Sequence, residues 1–134
     1  MMKEIRLLDL PVNDGLDGSL VVVEGDDTVP FDIKRSFFIY GVSSSSVRGK
    51  HANRDSEMLM VAVSGSVEVI VKDGCNTRVF DLKSPKQGLY LPKMTWREMQ
   101  NFSSDCVLLV LASRHYNKNE YIADYEEFEK EVRK

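Results

Sequence analysis

Two cysteines, four prolines, two histidines and one tryptophan are all that this 134-residue chain holds of those types, and its formal net charge is −3. Each scarcity removes a class of protein. Cys75 and Cys106 form no Cys-x-x-Cys pair, which points to reduced thiols in a cytoplasm and not to a disulfide scaffold. No apolar run approaches the ~18 residues of a membrane span. Lys3, Glu4, Arg6 and Asp9 break up the first twelve residues, so these lack the apolar core of a secretory leader. The acidic balance argues against a broad nucleic-acid-binding face. Proton chemistry near neutral pH falls on very few side chains, with His51 and His115 the two histidines.

What is present reads as strands first and a helix last. Ser19–Glu24 is a β-branched run between Gly18 and Gly25, and Ile33–Val42 is a second, aromatic-rich run. Four serines, Ser43–Ser46, interrupt the pattern as a surface loop or a flap beside a site. Met58–Val63 and Val67–Val71 flank Ser64-Gly65-Ser66, and Lys72–Asn76 turns the chain into Thr77–Leu82, so a β-meander is expected. Gly88–Leu91, Trp96–Phe102 and Val107–Ala112 supply further strands. Beyond Asn119, Tyr121, Tyr125, Phe128 and Val132 fall at helical spacing, giving an amphipathic helix over 119–134. The expectation is one all-β domain, 1–134, a sandwich or jelly roll with a C-terminal α-helix.

The densest set of chemically able side chains is Arg48-Gly49-Lys50-His51-Ala52-Asn53-Arg54-Asp55-Ser56-Glu57. It joins a histidine that titrates near neutrality, a carboxylate and flanking cations, and the active site is placed there. Within it, His51-x-Asn53-x-x-x-Glu57 resembles the first cupin motif, and Pro92-x-Met94-x-x-Arg97-x-x-x-Asn101 resembles the second. The resemblance implies a cupin, RmlC-like jelly-roll β-barrel. In metal-binding cupins these motifs supply three histidines and a glutamate, whereas Asn53 and Arg97 occupy two of the histidine positions here. A permanently protonated guanidinium repels a divalent cation, so no metal is expected.

More segments narrow the resemblance. Arg48-Gly49-x-His51-Ala52, Ser64-Gly65-Ser66, Gly88-Leu89-Tyr90, Trp96-x-Glu98-Met99, Phe102–Cys106 and Val110–Ser113 look like the sugar 3,4-ketoisomerases, as do Pro30–Arg35 and Tyr121-Ile122-x-x-Tyr125. The likeness runs from about Gly18 to Phe128. It implies conversion of TDP-4-oxo-6-deoxy-D-glucose into a 3-oxo isomer through an enediol, without cofactor or metal. It also implies a homodimer with exchanged N-terminal strands, and a PLP-dependent aminotransferase as pathway neighbour in making a 3-amino sugar for a surface glycan such as lipopolysaccharide O-antigen.

Roles follow residue by residue. His51 is the expected base, with a buried structural histidine as the other reading. Asn53 stands where many relatives have a second histidine, and Phe37 and Phe38 where they have tyrosines, so a two-histidine relay does not carry over. Asn53 is left as a hydrogen-bonding substrate ligand. Tyr40, on the same strand face as Phe38, is a candidate proton carrier or else a wall tyrosine. Arg97 is the candidate stabiliser of an enediolate. Arg35 and Arg48, with Lys34 behind them, are candidates for the pyrophosphate. Glu57 is expected to orient the histidine or a sugar hydroxyl, or else to serve as a buried hydrogen-bonding group, Tyr90 to bind substrate or pack, and Trp96 to pack. Two other readings stay open, a TDP-sugar 3,5-epimerase and a silent nucleotide-sugar-binding cupin.

Overall fold

The computed structural model describes residues 4–134, so residues 1–3 of the expected domain lie outside the described residues. Twelve strands and one α-helix appear among them: β1 (Arg6–Asp9), β2 (Val12–Gly15), β3 (Gly18–Val21), β4 (Arg35–Tyr40), β5 (Arg48–Asn53), β6 (Met58–Ser64), β7 (Val67–Lys72), β8 (Thr77–Leu82), β9 (Gln87–Leu91), β10 (Trp96–Gln100), β11 (Val107–Ala112), β12 (Tyr121–Ile122) and α1 (Tyr125–Val132). Two five-stranded antiparallel sheets, β1-β9-β6-β11-β4 and β12-β5-β10-β7-β8, face each other as a jelly roll, the cupin arrangement. No helix among the described residues is long and apolar enough to cross a membrane.

Alternation explains the core. Met58, Met60 and Ala62 of β6, Val67, Val69 and Val71 of β7, and Leu108, Val110 and Ala112 of β11 point between the sheets and are buried. Leu59, Val61 and Leu111 point the other way, yet they too are buried, because Leu10, Val29 and Phe31 cover the outer face of the first sheet. This double burial is why β6 reads as a continuous apolar run.

The expected meander holds for one turn only. Lys72–Asn76 does join a hairpin, β7–β8. Ser64-Gly65-Ser66, by contrast, carries the chain from one sheet to the other, since β6 pairs with β9 and β11 and not with β7. Gly65 makes this possible: its φ of +67° lies in the left-handed region, and a Cβ would collide with Ser103 and Asp105. Local turn chemistry marks that the chain reverses, not which partner it then finds.

Two further expectations change. The run Ser19–Glu24 is a strand only to Val21, in a separate two-stranded hairpin with β2. After that, Val22 N–H bonds Pro11 O at 3.0 Å and Val23 packs onto the first sheet. The helix expected from 119 begins at Tyr125, where the Asp124 carboxylate accepts the Glu126 amide as an N-cap. Before it, Lys118–Glu120 is a single 3₁₀ turn and Tyr121–Ile122 pairs with Asn53 and Ala52 of β5. Helix α1 lies on the outer face of the second sheet, with Phe128 against Trp96, Ala52 and Ile122.

Candidate active site

Register places the two chemically strongest groups side by side. Arg97 on β10 pairs directly with His51 on β5, so both side chains enter the barrel from neighbouring strands. The pairing then slips between Arg97 and Glu98, where Lys50 is an extra residue on β5. Lys50 and Gly49 both have left-handed backbones, with φ of 59° and 85°. A Cβ at Gly49 would stand 3.0 Å from Arg97 O and 3.1 Å from Met99 Sδ. The bulge has a consequence for Arg48: strict alternation would turn it away from His51, but the inserted residue restores both to one face.

The result is a cavity of about 260 Å³ lined by Arg48, Gly49, His51, Arg97 and Tyr121, with Phe37, Phe38, Ile39, Met58, Met60, Met99 and Val110 as apolar walls. His51 is neutral there. Burial, helped by the neighbouring Arg97 cation, pushes its pKa down to about 4 against weaker opposing pulls from a Gly49 backbone hydrogen bond and from Glu120. Arg97 is 1% exposed. Burial pushes its pKa down to about 10, which leaves it charged at neutral pH. Its Nη1 donates to Asn53 Oδ1 at 2.7 Å, while Nε and Nη2 are buried without a partner among the described residues. Arg35 has the same property: Nε and Nη2 are buried and unpaired, with the guanidinium 5.2 Å from the Phe37 ring and 5.7 Å from that of Tyr116. Unpaired buried donors are costly, and two such guanidiniums, Arg97 inside the cavity and Arg35 against its Phe37 wall, suit oxygen-rich anionic groups.

The expected site residues therefore divide. His51, Arg97 and Arg48 meet in the cavity, and Arg35 flanks its Phe37 wall. Asn53 is fully buried behind Arg97 and lines no part of the cavity, so it holds the arginine. Tyr40 is 70% exposed on the outer face of β4, because Arg35, Phe37 and Ile39 take the inward positions. Glu57 and Lys34 line a second, outer hollow of about 720 Å³. Tyr90 O–H donates to Glu57 Oε1 at 2.6 Å, and Lys34 pairs with Asp32 at 2.7 Å. Among the described residues no group of three or more His, Cys, Asp or Glu side chains is arranged to hold a metal ion.

Two residues of this region escaped the sequence reading. Glu120 is buried and accepts the Asp55 and Ser56 amides at 3.0 and 2.8 Å and the Ser56 hydroxyl, which ties the 3₁₀ turn to the end of β5. Burial alone would raise its carboxyl, but those hydrogen bonds hold it below the usual carboxylate range. Tyr121 follows it, its ring centroid 4.8 Å from that of His51. Helical periodicity hid both, since the signal of β12 is only two residues long.

A jelly roll whose interior pairs one neutral histidine with one buried guanidinium defines, with its relatives, a cupin-fold isomerase of the sugar ketoisomerase class. The chain belongs to the family described as FdtA: WxcM-like, C-terminal, whose model matches residues 3–133. It is 42% identical over 117 residues, 87% of this chain and 84% of the relative, to the TDP-4-oxo-6-deoxy-alpha-D-glucose-3,4-oxoisomerase of Aneurinibacillus thermoaerophilus. A 3,4-ketoisomerase from Helicobacter canadensis superposes with a TM-score of 0.95 at 40% identity, covering 98% of each chain. A mutant 3,4-ketoisomerase from Thermoanaerobacterium thermosaccharolyticum, solved with TDP-4-keto-6-deoxyglucose, gives 0.96 at 32% identity over 99% of this chain and 96% of that one.

Proposed function

We propose that this protein is a TDP-sugar 3,4-ketoisomerase that converts TDP-4-oxo-6-deoxy-D-glucose into a TDP-3-oxo-6-deoxyhexose by metal-independent proton transfer through an enediol. The observation that carries the reading is the cross-strand pair of a neutral His51 and a charged, partly unpaired Arg97 inside one cavity. The C4 ketone acidifies the C3 hydrogen. His51 accepts that proton and returns it to C4. A histidine held near pH 4 is a weak base, so the barrier must be lowered from the other side. Arg97 does this: its guanidinium lines the cavity with two donors unpaired, and its charge offsets the one that builds on the sugar oxygens as the enediolate forms. Arg48 and Arg35 take the pyrophosphate at the mouth, where a guanidinium can bind two oxygens at once.

The active unit is a homodimer. The β2–β3 hairpin is a sheet of its own, with Leu16 fully exposed and Leu20 58% exposed at its tip and flank, and Phe38 and Tyr40 expose a further apolar face on the edge strand β4. Strand exchange then concerns that hairpin, which joins neither five-stranded sheet. The enzyme works in the cytoplasm, and its 3-oxo product suits a PLP-dependent aminotransferase that installs a 3-amino group in a 3,6-dideoxy sugar for a surface glycan.

Proton NMR of TDP-4-oxo-6-deoxyglucose with the pure protein in deuterated buffer tests the reaction. A 3-oxo sugar with wild type and none with His51→Asn supports the reading. Exchange at C5 in its place would make the protein an epimerase, and an unchanged spectrum with TDP bound would make it a silent binder.

A further inference from the structure

The structure points to Tyr121 as a second catalytic residue, whose phenol hydroxyl moves a proton between O4 and O3 while His51 moves one between C3 and C4. This rests on the ketoisomerase reading above. Shifting a carbonyl between neighbouring carbons relocates two protons, one on carbon and one on oxygen. His51 can hold one at a time. Something else must serve the oxygens.

Elimination within the cavity leaves one group. Of its lining side chains, Phe37, Phe38, Ile39, Met58, Met60, Met99 and Val110 carry no exchangeable proton and Gly49 has no side chain. Arg48 and Arg97 are cations that keep theirs. Asn53 is neither acid nor base. His115 lines the outer hollow, Tyr40 faces away, and the Tyr90 hydroxyl is committed to Glu57. Tyr121 remains, and its position fits. Strand β12 pairs with β5, Tyr121 opposite Asn53, which sets its ring against His51 at 4.8 Å and 51°. Glu120 fixes this placement through its bonds to Asp55 and Ser56. Arg97 lines the same cavity as Tyr121, so a transient phenolate shares that cavity with a buried cation.

The step balances without an oxidant. His51 takes the C3 hydrogen, and the C3–H electron pair becomes the C3=C4 double bond. The carbonyl pair moves to O4, which takes the Tyr121 phenol proton. The phenolate then removes the proton from O3–H, the O3 pair re-forms a carbonyl at C3, and the C3=C4 pair takes the proton from His51 at C4. Both side chains end as they began.

The test is Tyr121→Phe in the full chain, assayed with TDP-4-oxo-6-deoxyglucose. Phenylalanine keeps the ring against His51 and the backbone pairing, so only the hydroxyl is lost. The expected result is kcat down 10²- to 10³-fold with KM and TDP affinity within threefold of wild type, and a His51 imidazole NMR titration that does not move. Tyr40→Phe serves as the comparison and keeps kcat within twofold. A Tyr121→Phe kcat within fivefold of wild type overturns the assignment, as does a loss carried by KM. So does a His51 midpoint displaced by more than one pH unit, which would make Tyr121 a positioning residue. If wild type itself forms no 3-oxo sugar, the ketoisomerase reading fails, and the role of Tyr121 fails with it.

Discussion

The second sheet has two faces of opposite character within single dipeptides. On β5, His51 and Asn53 point into the barrel and Ala52 between them points out; on β10, Arg97 points in and Trp96 points out. The inward face here is the polar one, holding a buried cation, a buried amide and a neutral imidazole. Outward, Ala52, Trp96 and Ile122 are apolar and closed by Phe128 of α1, with Trp96 edge-on to Tyr125 at 5.1 Å. The β5–β10 end of this sheet gives up part of its inner face to polar groups, while Val67, Val69 and Val71 of β7 keep the rest apolar; that end gains hydrophobic burial on its outer side, where the C-terminal helix supplies it. Arg54 fastens the arrangement, donating to Glu131 at 3.0 and 2.8 Å from the end of β5.

The sharpest way to separate the faces is to alter one residue on each. His51→Asn should reduce turnover about 10²- to 10⁴-fold, the range for removing a positioned base, with no loss of melting temperature. Turnover within tenfold of wild type by the NMR assay would remove His51 from the mechanism. Phe128→Ala works in the opposite sense. Emptying that fully buried site should cost about 3–5 kcal/mol in denaturant unfolding while the folded protein keeps its kcat. A comparable drop in kcat at full folding would show that the two faces are coupled.

Arg97→Met sits between these. Loss of the guanidinium should lower kcat about 10²- to 10³-fold, yet stability should hold or rise, because a buried cation with unpaired donors is replaced by an apolar side chain of similar length. A strong fall in melting temperature would mean that the Asn53 bond outweighs the desolvation of the charge.

Stability should also depend on pH through the inner face. In the unfolded chain His51 binds its proton near pH 6.5, in the folded protein only near pH 4, so between these values the unfolded state holds more protons. The contribution is complete above about pH 6.5 and is lost as pH falls toward 4. It amounts to roughly 3 kcal/mol, and His51→Gln should flatten that part of the unfolding profile. An equal slope in the variant would assign it to other groups. The smallest effect belongs to Glu57→Gln. Its carboxylate faces the outer hollow and Tyr90, so kcat/KM should stay within about threefold, and a hundredfold loss would draw that hollow into the site.

Much of this was legible before any coordinates. Alternating apolar residues give the strands, because a half-buried sheet requires period two, and the resemblance of the His51–Glu57 and Pro92–Asn101 segments to the two cupin motifs implies the barrel. The helix was visible from Tyr125, Phe128 and Val132. Its start was not, since Tyr121 fits the same spacing while its backbone is claimed by β5. Of the two readings of Glu57, its bond from Tyr90 fits the hydrogen-bonding one, which a motif position alone does not single out.

The sequence by itself determined the residue types, their local periods and hence the class of fold, since these depend on neighbours within one turn or one strand. Tertiary structure alone decided which of those residues meet. The bulge at Lys50 turned Arg48 toward His51, β12 carried Tyr121 across some seventy residues to the same imidazole, and Arg97 closed over Asn53. Register and burial act between strands far apart in the chain, and a one-residue shift reverses every side chain, so no local pattern contains them.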